Sequence, residues 1–329
     1  MNTIRFWLNN ARTTALPQSL LPAILAVCIA SQAQGFSIYL GVLAVFGVVM
    51  AHLSLNLFDD YFDYRVKGAG FRDDMARKGF RARIAKCHYI TSGQTTLNRL
   101  LIACLVFGAI ALVAGSVIWW FRDNFILWIA LIAAVLGISY SGAPMRLSYH
   151  GLGEIVIGVM FGPLSMTGVY YAACGHFDLS IVFISVPVGL LVANIVYTHS
   201  IMDCEPDKEV GKMTFAVLLK TQHRMLFCLL LLLLASYGCI IGGVWTGYLS
   251  KYYLFTLLTV PMSVNLFYLM VAFVRYPDKK FSPRFWMGPM GDWKRIETYH
   301  LDWFMIRWLS ARNLLSFFCL ILIVVGFIA

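Results

Sequence analysis

The sequence predicts an all-α integral membrane protein with nine transmembrane helices. Hydrophobic residues make up 60% of the 329 residues and charged residues only 13%, whereas soluble domains contain about 45–50% apolar and about 25% charged residues. The apolar residues also gather into stretches of about 20 residues, the length that a helix needs to cross a bilayer. The composition therefore excludes a water-soluble globule.

Nine apolar stretches predict the membrane spans in chain order. They are residues 16–34, 38–58, 98–120, 125–143, 152–174, 180–200, 222–243, 252–274 and 312–329. The first stretch also has features of a secretory signal peptide, because Arg5 and Arg12 precede it and Ser31-Gln32-Ala33 has the small residues of a cleavage site. Its full spanning length favours a membrane helix instead.

The positive charges predict the orientation of the spans. With the N-terminus inside and the C-terminus outside, all 26 Lys and Arg residues except Arg122 and Lys251 fall on the inner side. Cytoplasmic loops carry such an excess of basic residues, and Trp119, Trp120 and Trp245 would lie in the outer interface, where tryptophan is enriched. This distribution accounts for the net charge of +10, so the sequence predicts no nucleic-acid partner.

The predicted organisation is one transmembrane domain, residues 1–329, in the cytoplasmic membrane. Three loops, 59–97, 201–221 and 275–311, would lie on the cytoplasmic side. The basic residues of the first loop would suit an anionic headgroup or diphosphate arriving from that side. The eight cysteines lack CxxC spacing, so they predict neither a disulfide framework nor a zinc site. No oligomeric state follows from the sequence.

A first acidic cluster lies at the inner end of the second predicted span. Its members are Asn56, Asp59, Asp60 and Asp63. In a helix their spacing of i, i+3, i+4 and i+7 places them within an arc of about 100°. Carboxylates crowded on one face favour a bound cation, and oxygen ligands suit Mg²⁺. The alternative is a solvated helix end whose acids pair with Arg65 and Lys67.

A second acidic cluster lies at the inner end of the sixth predicted span. Asp203 and Asp207 form a DxxxD motif with Glu205 between them. Pro206 disfavours helical geometry, so we expect the helix to end or kink there, with Asp207 just beyond it. Both clusters would then reach the same membrane face and hold two Mg²⁺ ions on a diphosphate, whose oxygens Lys208 and Lys212 would also meet.

Several motifs together resemble one known family. NLFDDYFDY at 56–64 is similar to NLxNDYxD, and DCEPDKEVGKMTFAVLL at 203–219 is similar to DIENDxxxGKxTLAVRLG. Between them, Tyr140-Ser141-Gly142-Ala143-Pro144, GLGE at 151–154 and FGP at 161–163 match further motifs. Arg12 with Leu16-Pro17 resembles RPxTLP with one residue added. These motifs are those of the UbiA superfamily of intramembrane prenyltransferases, most closely its 1,4-dihydroxy-2-naphthoate polyprenyltransferases, which belong to menaquinone biosynthesis.

The resemblance covers roughly residues 10 to 225 and has three departures. Asp59 stands where the family usually has Asn. Lys67 occupies the place of a fourth acid in the ubiquinone-type pattern, as it does in the menaquinone branch. The loop at 275–311 is longer than the family leads us to expect. These departures bear on the ligand count of the first metal and on the acceptor.

The resemblance implies a nine-helix bundle and Mg²⁺-dependent transfer of a polyprenyl group from polyprenyl diphosphate to an aromatic acceptor, within membrane lipid. The implied metal ligands are Asn56, Asp60, Asp63, Asp203 and Asp207. The implied catalytic residues are the four aspartates and Tyr140. The implied substrate-binding residues are Arg12, Asn56, Tyr149, Arg146, Lys208 and Lys212. Arg146 would pair with an acceptor carboxylate, and the tyrosine rings would stabilise an allylic cation.

Several interpretations of the sequence stay open. Glu154 in GLGE is either a functional intramembrane acid or an interfacial residue. The acceptor is either dihydroxynaphthoate, another aromatic, a glycerol phosphate lipid or a haem. A secondary transporter also uses intramembrane acids, although its acids usually lie nearer the middle of the membrane. Finally, the apolar spacing of 293–312 predicts a helix lying in the inner interface.

Overall fold

The structure is a computed structural model that describes residues 3–77, 87–209, 211–276 and 279–328, with only the helical backbone given for 66–77. Within these ranges the chain is helical, and the single extended pairing is a parallel bridge between His150 and Met213. The predicted all-α class is therefore confirmed.

Fifteen α-helices cover the described residues. They are α1 Thr3–Asn10, α2 Pro17–Ala30, α3 Ile38–Arg77, α4 His88–Thr91, α5 Leu97–Phe121, α6 Asn124–Ser141, α7 Gly153–Val159, α8 Ser165–Cys174, α9 Ser180–Met202, α10 Cys204–Glu209, α11 Phe215–Leu219, α12 Gln222–Trp245, α13 Val260–Arg275, α14 Trp293–Thr298 and α15 Asp302–Ile328. A π-helical turn, Met160–Leu164, joins α7 to α8, and a 3₁₀ helix, Lys251–Thr259, leads into α13.

Eight stretches of the described chain are long and apolar enough to cross a bilayer. They are Ile38–Arg65, Leu97–Phe121, Asn124–Ser141, Gly153–Cys174, Ser180–Met202, Gln222–Trp245, Lys251–Arg275 and Asp302–Ile328. The first predicted span corresponds to Pro17–Ala30, which has 14 residues. A helix of that length reaches about 21 Å, less than the roughly 30 Å hydrocarbon core, so the ninth span stays a prediction.

The chain divides into two compact units. Unit 1 contains Met1–Tyr149 and Leu164–Phe177, and unit 2 contains His150–Pro163 and Asp178–Ala329. In unit 1, α3 packs mainly against α5 and also against α2, α6 and α8. In unit 2, the mostly buried α9 packs against α7, α12 and α15. Glycine allows α7 and α9 to approach closely. A Cβ on Gly158 would lie only 2.9 Å from the Gly189 carbonyl oxygen.

Three predicted boundaries are wrong. Residues 59–77 are the helical continuation of α3 rather than part of a loop, since no proline interrupts them; the remaining basic residues of that loop, 78–86, lie outside the described residues. The helix that contains the last span begins at Asp302 rather than 312, because an acid in the first turn stabilises a helix N-terminus. The predicted helix over 293–312 is split, since α14 ends at Thr298 and His300 has a φ of 55°.

Candidate active site

The first acidic cluster lies on one continuous stretch of α3, as its spacing predicts. Asp60 and Asp63 are buried, with 2% and 5% of their surface exposed, and the Asp59 side chain is 16% exposed. Because the helix carries all three carboxylates on one side, their charges must be compensated by groups from elsewhere in unit 1. The compensating groups come from four other segments of the chain.

Arg12 supplies the positive charge. Its Nη2 lies 3.0 Å from Asp59 Oδ2, forms a second ion pair with Asp60 Oδ1 and donates to the Asn56 carbonyl oxygen at 3.3 Å. Burial by itself disfavours the charged form, yet the carboxylates of Asp60 and Asp59 prevail and raise the pKa of Arg12 above its ordinary value. Of the alternative partners for these acids, Arg65 places its guanidinium near Tyr61. The Lys67 side chain lies outside the described residues, so its pairing with the acids stays a prediction.

Three hydroxyl groups donate to the same carboxylates. Tyr89 donates to Asp60 Oδ2 at 2.9 Å, Tyr149 to Asp63 Oδ1 at 2.6 Å, and Ser141 to Asp59 Oδ1 at 2.5 Å. Burial and then the Asp60 carboxylate raise the pKa of Tyr89, so its hydroxyl keeps the proton that it donates. The rings of Phe6 and Trp7 pack edge-on against Tyr89, and this contact ties α1 to the cluster.

Asn56 is oriented by the backbone before α2. Its Nδ2 donates to the Ala11 carbonyl oxygen at 2.9 Å, which leaves Oδ1 as its atom for a cation. Carboxylate and amide oxygens are ligands that Mg²⁺ accepts, so the donor types of this cluster fit that ion. Across the described parts of the chain, no three His, Cys, Asp or Glu side chains are grouped closely enough to form a metal site by themselves.

The second acidic cluster is built by a helix end in unit 2. The helix α9 ends at Met202, the Asp203 N–H bonds to the His199 carbonyl oxygen at 2.9 Å, and α10 begins at Cys204. The prediction that the helix breaks at Pro206 with Asp207 beyond it is wrong. The break comes three residues earlier, and Pro206 stands in the first turn of α10, where a missing N–H costs little. The Asp207 N–H then bonds to the Asp203 carbonyl oxygen at 2.8 Å.

Both aspartates of the second cluster are buried, with 6% of Asp203 and 3% of Asp207 exposed. The Nε2 atom of His199 lies 2.9 Å from Asp203 Oδ2, and its ring packs edge-on against Phe304 of α15. No role was predicted for His199. Its position four residues before Asp203 was a usable signal, because residues at i and i+4 meet on a helix.

The two predicted lysines differ in their contacts. Lys208 is exposed and bonds to Glu205 Oε1 at 2.8 Å, and this hydrogen bond raises the pKa of Lys208. The Lys212 N–H bonds to the Asp207 carbonyl oxygen at 2.8 Å, so its backbone belongs to the cluster. Lys212 is therefore better placed than Lys208 to lie beside Asp207.

Glu154 joins two helices of unit 2. Its Oε1 accepts a hydrogen bond from Ser200 at 2.6 Å. The GLGE motif has a physical reason beside it, since Gly151 has a φ of 77° and a Cβ there would collide with the Leu218 side chain. The buried carboxylate thus connects the start of α7 to the end of α9.

The remaining predicted residues, Tyr140 and Arg146, lie close in sequence to Ser141 and Tyr149, two hydroxyl donors to the first cluster. Tyr140 is half-buried in the last turn of α6, next to Ser141. Arg146 stands in the turn that follows, with a φ of 41°, and its carbonyl oxygen accepts the Tyr149 N–H at 2.8 Å. No sequence pattern indicated Tyr89, which lies in the predicted loop 59–97. Ser141 could have been found, because it lies inside the motif that includes Tyr140.

Comparison with known proteins identifies related sequences. The sequence profile of the UbiA prenyltransferase family matches residues 19–288. The 1,4-dihydroxy-2-naphthoate octaprenyltransferase of Bacillus subtilis is 25% identical over 260 residues, covering 77% of this chain and 78% of that protein. The alignment thus extends over most of both proteins.

Solved structures share the fold. A solved structure of digeranylgeranylglyceryl phosphate synthase superimposes on this chain with a TM-score of 0.60 and 18% sequence identity, covering 98% of this chain and 99% of that chain. A UbiA homologue from Archaeoglobus fulgidus bound to DMAPP and Mg²⁺ has a TM-score of 0.60 and 16% identity, covering 97% and 99%. At these identities the likeness shows the architecture, and the profile match shows the family.

Proposed function

Since the chain belongs to the UbiA prenyltransferase family, we propose that this multi-pass membrane prenyltransferase moves a polyprenyl group from polyprenyl diphosphate to 1,4-dihydroxy-2-naphthoate with the help of Mg²⁺. The observation that carries the proposal is the pair of buried carboxylate clusters, Asp60 with Asp63 and Asp203 with Asp207. The B. subtilis relative, named for this acceptor, supports its choice. The opening of the site to the cytoplasmic face stays a prediction.

In this proposal Asn56, Asp60 and Asp63 hold one Mg²⁺ ion in unit 1, and Asp203 and Asp207 hold a second Mg²⁺ ion in unit 2. When bound, the ions neutralise the diphosphate and improve it as a leaving group. The protein orients the ligands beforehand. Tyr89 and Tyr149 do this for the first cluster, and His199 does it for Asp203 in the second.

Arg12 has two tasks in the proposal. It compensates Asp59 and Asp60 before substrate binds, and its guanidinium, with five N–H donors in all, has donors to offer diphosphate oxygens. Lys212 and the exposed Lys208 add positive charge for the same oxygens. As the bond between the prenyl carbon and the diphosphate oxygen breaks, negative charge accumulates on the departing group, so these cations stabilise the transition state more than the ground state.

The prenyl side of the reaction needs apolar surroundings. A cationic prenyl carbon reacts with water unless water is excluded, and aromatic faces stabilise positive charge. We assign Tyr140 to this role. Tyr149, whose hydroxyl already donates to Asp63, keeps its ring for the same purpose, and Arg146 is assigned to the acceptor carboxylate.

The test is an acceptor panel. Purified protein in detergent receives labelled polyprenyl diphosphate, Mg²⁺ and one acceptor at a time: dihydroxynaphthoate, hydroxybenzoate, a prenylated glycerol phosphate or haem. Chromatography should show a labelled product with dihydroxynaphthoate only, and chelation of Mg²⁺ should abolish it. Product with a different acceptor would overturn the acceptor assignment, and no product with any acceptor, from protein that still binds the diphosphate, would overturn the proposed reaction.

A further inference from the structure

Residues 279–291, the lipid-facing segment, take no part in the proposed chemistry yet have an unusual surface. The segment carries Lys279, Lys280 and Arg284 and contains no acid. Phe285 is 93% exposed and Trp286 is 48% exposed, although single exposed apolar residues are common. Here two large aromatic rings stand next to each other, and the Arg284 guanidinium lies 6.0 Å from the Trp286 ring centroid.

The exposed rings belong to a segment that is fixed in place. Met287 and Met290 are buried, in a cluster with Leu269, Ile306 and Leu309. Asn313 of α15 donates from Nδ2 to the carbonyl oxygens of Met287 at 2.8 Å and Pro289 at 2.9 Å. These contacts hold the backbone on both sides of Gly288, so the outward direction of Phe285 is set by the fold.

The position of the segment along α15 indicates what it faces. Its anchor, Asn313, directly follows Arg312, and no charged residue occurs from 313 to 328. Gly288, with a φ of 79°, lies against Phe317, since a Cβ there would come within 2.8 Å of that ring. The Arg312 guanidinium lies 5.7 Å from the Trp308 ring centroid. Arginine and tryptophan mark the depth where a span enters the hydrocarbon, so the segment lies at the lipid headgroup level.

The charge on the segment is available to a ligand. Lys279 donates to the Tyr268 hydroxyl at 3.0 Å and lies over the rings of Tyr268 and Phe281, which are neutral partners. Cations together with partly inserted aromatic rings are the features by which proteins bind anionic lipid at the interface. A neutral or cationic partner would leave these positive charges uncompensated.

We propose that the lipid-facing segment is a binding surface for anionic phospholipid, in which Phe285 and Trp286 enter the bilayer at the headgroup boundary and Lys279, Lys280 and Arg284 contact lipid phosphates. The segment lies just before residues 293–312, for which the sequence predicted an interfacial helix. The lipid contact does not depend on the proposed reaction, so it is tested without measuring activity.

The first measurement is lipid selectivity by native mass spectrometry of the purified protein titrated with phosphatidylglycerol or phosphatidylcholine. The wild type should prefer phosphatidylglycerol, and the triple variant Lys279→Gln, Lys280→Gln, Arg284→Gln should lose about tenfold of that preference. A matched variant, Lys220→Gln, Arg224→Gln, Lys251→Gln, removes the same charge elsewhere and should keep the preference. Equal losses in the two variants would overturn the proposal.

The second measurement is the depth of Trp286 in a bilayer. The difference in fluorescence between wild type and Trp286→Phe, in vesicles of phosphatidylglycerol and phosphatidylcholine, isolates the signal of this ring. Lipids brominated near the headgroup should quench it more than lipids brominated near the chain end. Quenching by aqueous iodide with none by either brominated lipid would show that the segment faces water, and the proposal would be wrong.

Discussion

The two acidic clusters are held in different ways. In unit 1 every carboxylate bonds to a side chain that is distant in sequence: Tyr89 is 29 residues from Asp60, Ser141 is 82 residues from Asp59, and Tyr149 is 86 residues from Asp63. In unit 2 Asp203 bonds to a residue close in sequence, the His199 side chain and backbone, four residues away.

This difference shows which contacts position the carboxylates of each cluster. The first cluster is assembled by tertiary contacts and includes a compensating cation, so it exists only when unit 1 is folded. The second follows from the geometry of a helix end, where the ring of His199 also packs against Phe304 of α15. Substituting the ligands should therefore damage both clusters alike, whereas substituting their partners should separate them.

The largest expected effect is common to both clusters. Asp60→Ala and Asp207→Ala should each lower kcat about 10²–10³-fold, because each removes a charged ligand at the point where the leaving group develops charge. Steady-state kinetics in detergent measures this, with size-exclusion chromatography to verify the fold. Asp178→Asn is the control, since Asp178 accepts the Ser180 N–H at 2.7 Å far from either cluster in sequence and the amide keeps that bond. Near-normal turnover in either alanine variant would remove that aspartate from the metal assignment.

An intermediate effect is expected from the tyrosine partners of the first cluster. Tyr89→Phe and Tyr149→Phe each remove one hydroxyl donor to a carboxylate and keep the ring. A hydrogen bond to a charged group contributes about 1.5–3 kcal/mol, so the Mg²⁺ concentration for half-maximal rate should change by about tenfold or more. Titrating Mg²⁺ at saturating prenyl diphosphate checks this.

Tyr171→Phe is the matched control, because Tyr171 donates to Asp123, an aspartate of neither cluster. Its Mg²⁺ requirement should equal that of the wild type. If all three tyrosine variants behave alike, the tyrosine donors do not order the first cluster, and the contrast between the clusters fails.

The smallest effect is expected at Asp59, where the chain departs from the family. Its carboxylate bonds to Ser141 and Arg12, so we assign it to compensating Arg12 rather than to the metal. Asp59→Asn should therefore leave the rate within about threefold and lower the stability by about 1 kcal/mol or less, as for other partly exposed ion pairs. Thermal unfolding and kinetics measured on the same sample test this. A large fall in rate without a change in stability or Mg²⁺ dependence would contradict the assignment.

The membrane class, the family and the positions of the two clusters along the chain follow from the amino-acid sequence. Composition and apolar stretch length depend on local sequence only, so they predict spanning helices without knowledge of packing. The face shared by Asp59, Asp60 and Asp63 follows from the helical period in the same way. The choice of Mg²⁺ follows from the acidic pattern and the resemblance rather than from any partner.

The side chains that surround the acids of the first cluster are known from the tertiary structure alone. The pairing of Arg12 with Asp59 and Asp60, and the donors Tyr89, Ser141 and Tyr149, depend on which segments pack against α3, which no local pattern records. The same is true of Glu154 and of the segment held by Asn313. A contact between distant residues forms because the packing of helices offsets the entropy of closing the intervening chain, and that balance belongs to the whole unit rather than to any single motif.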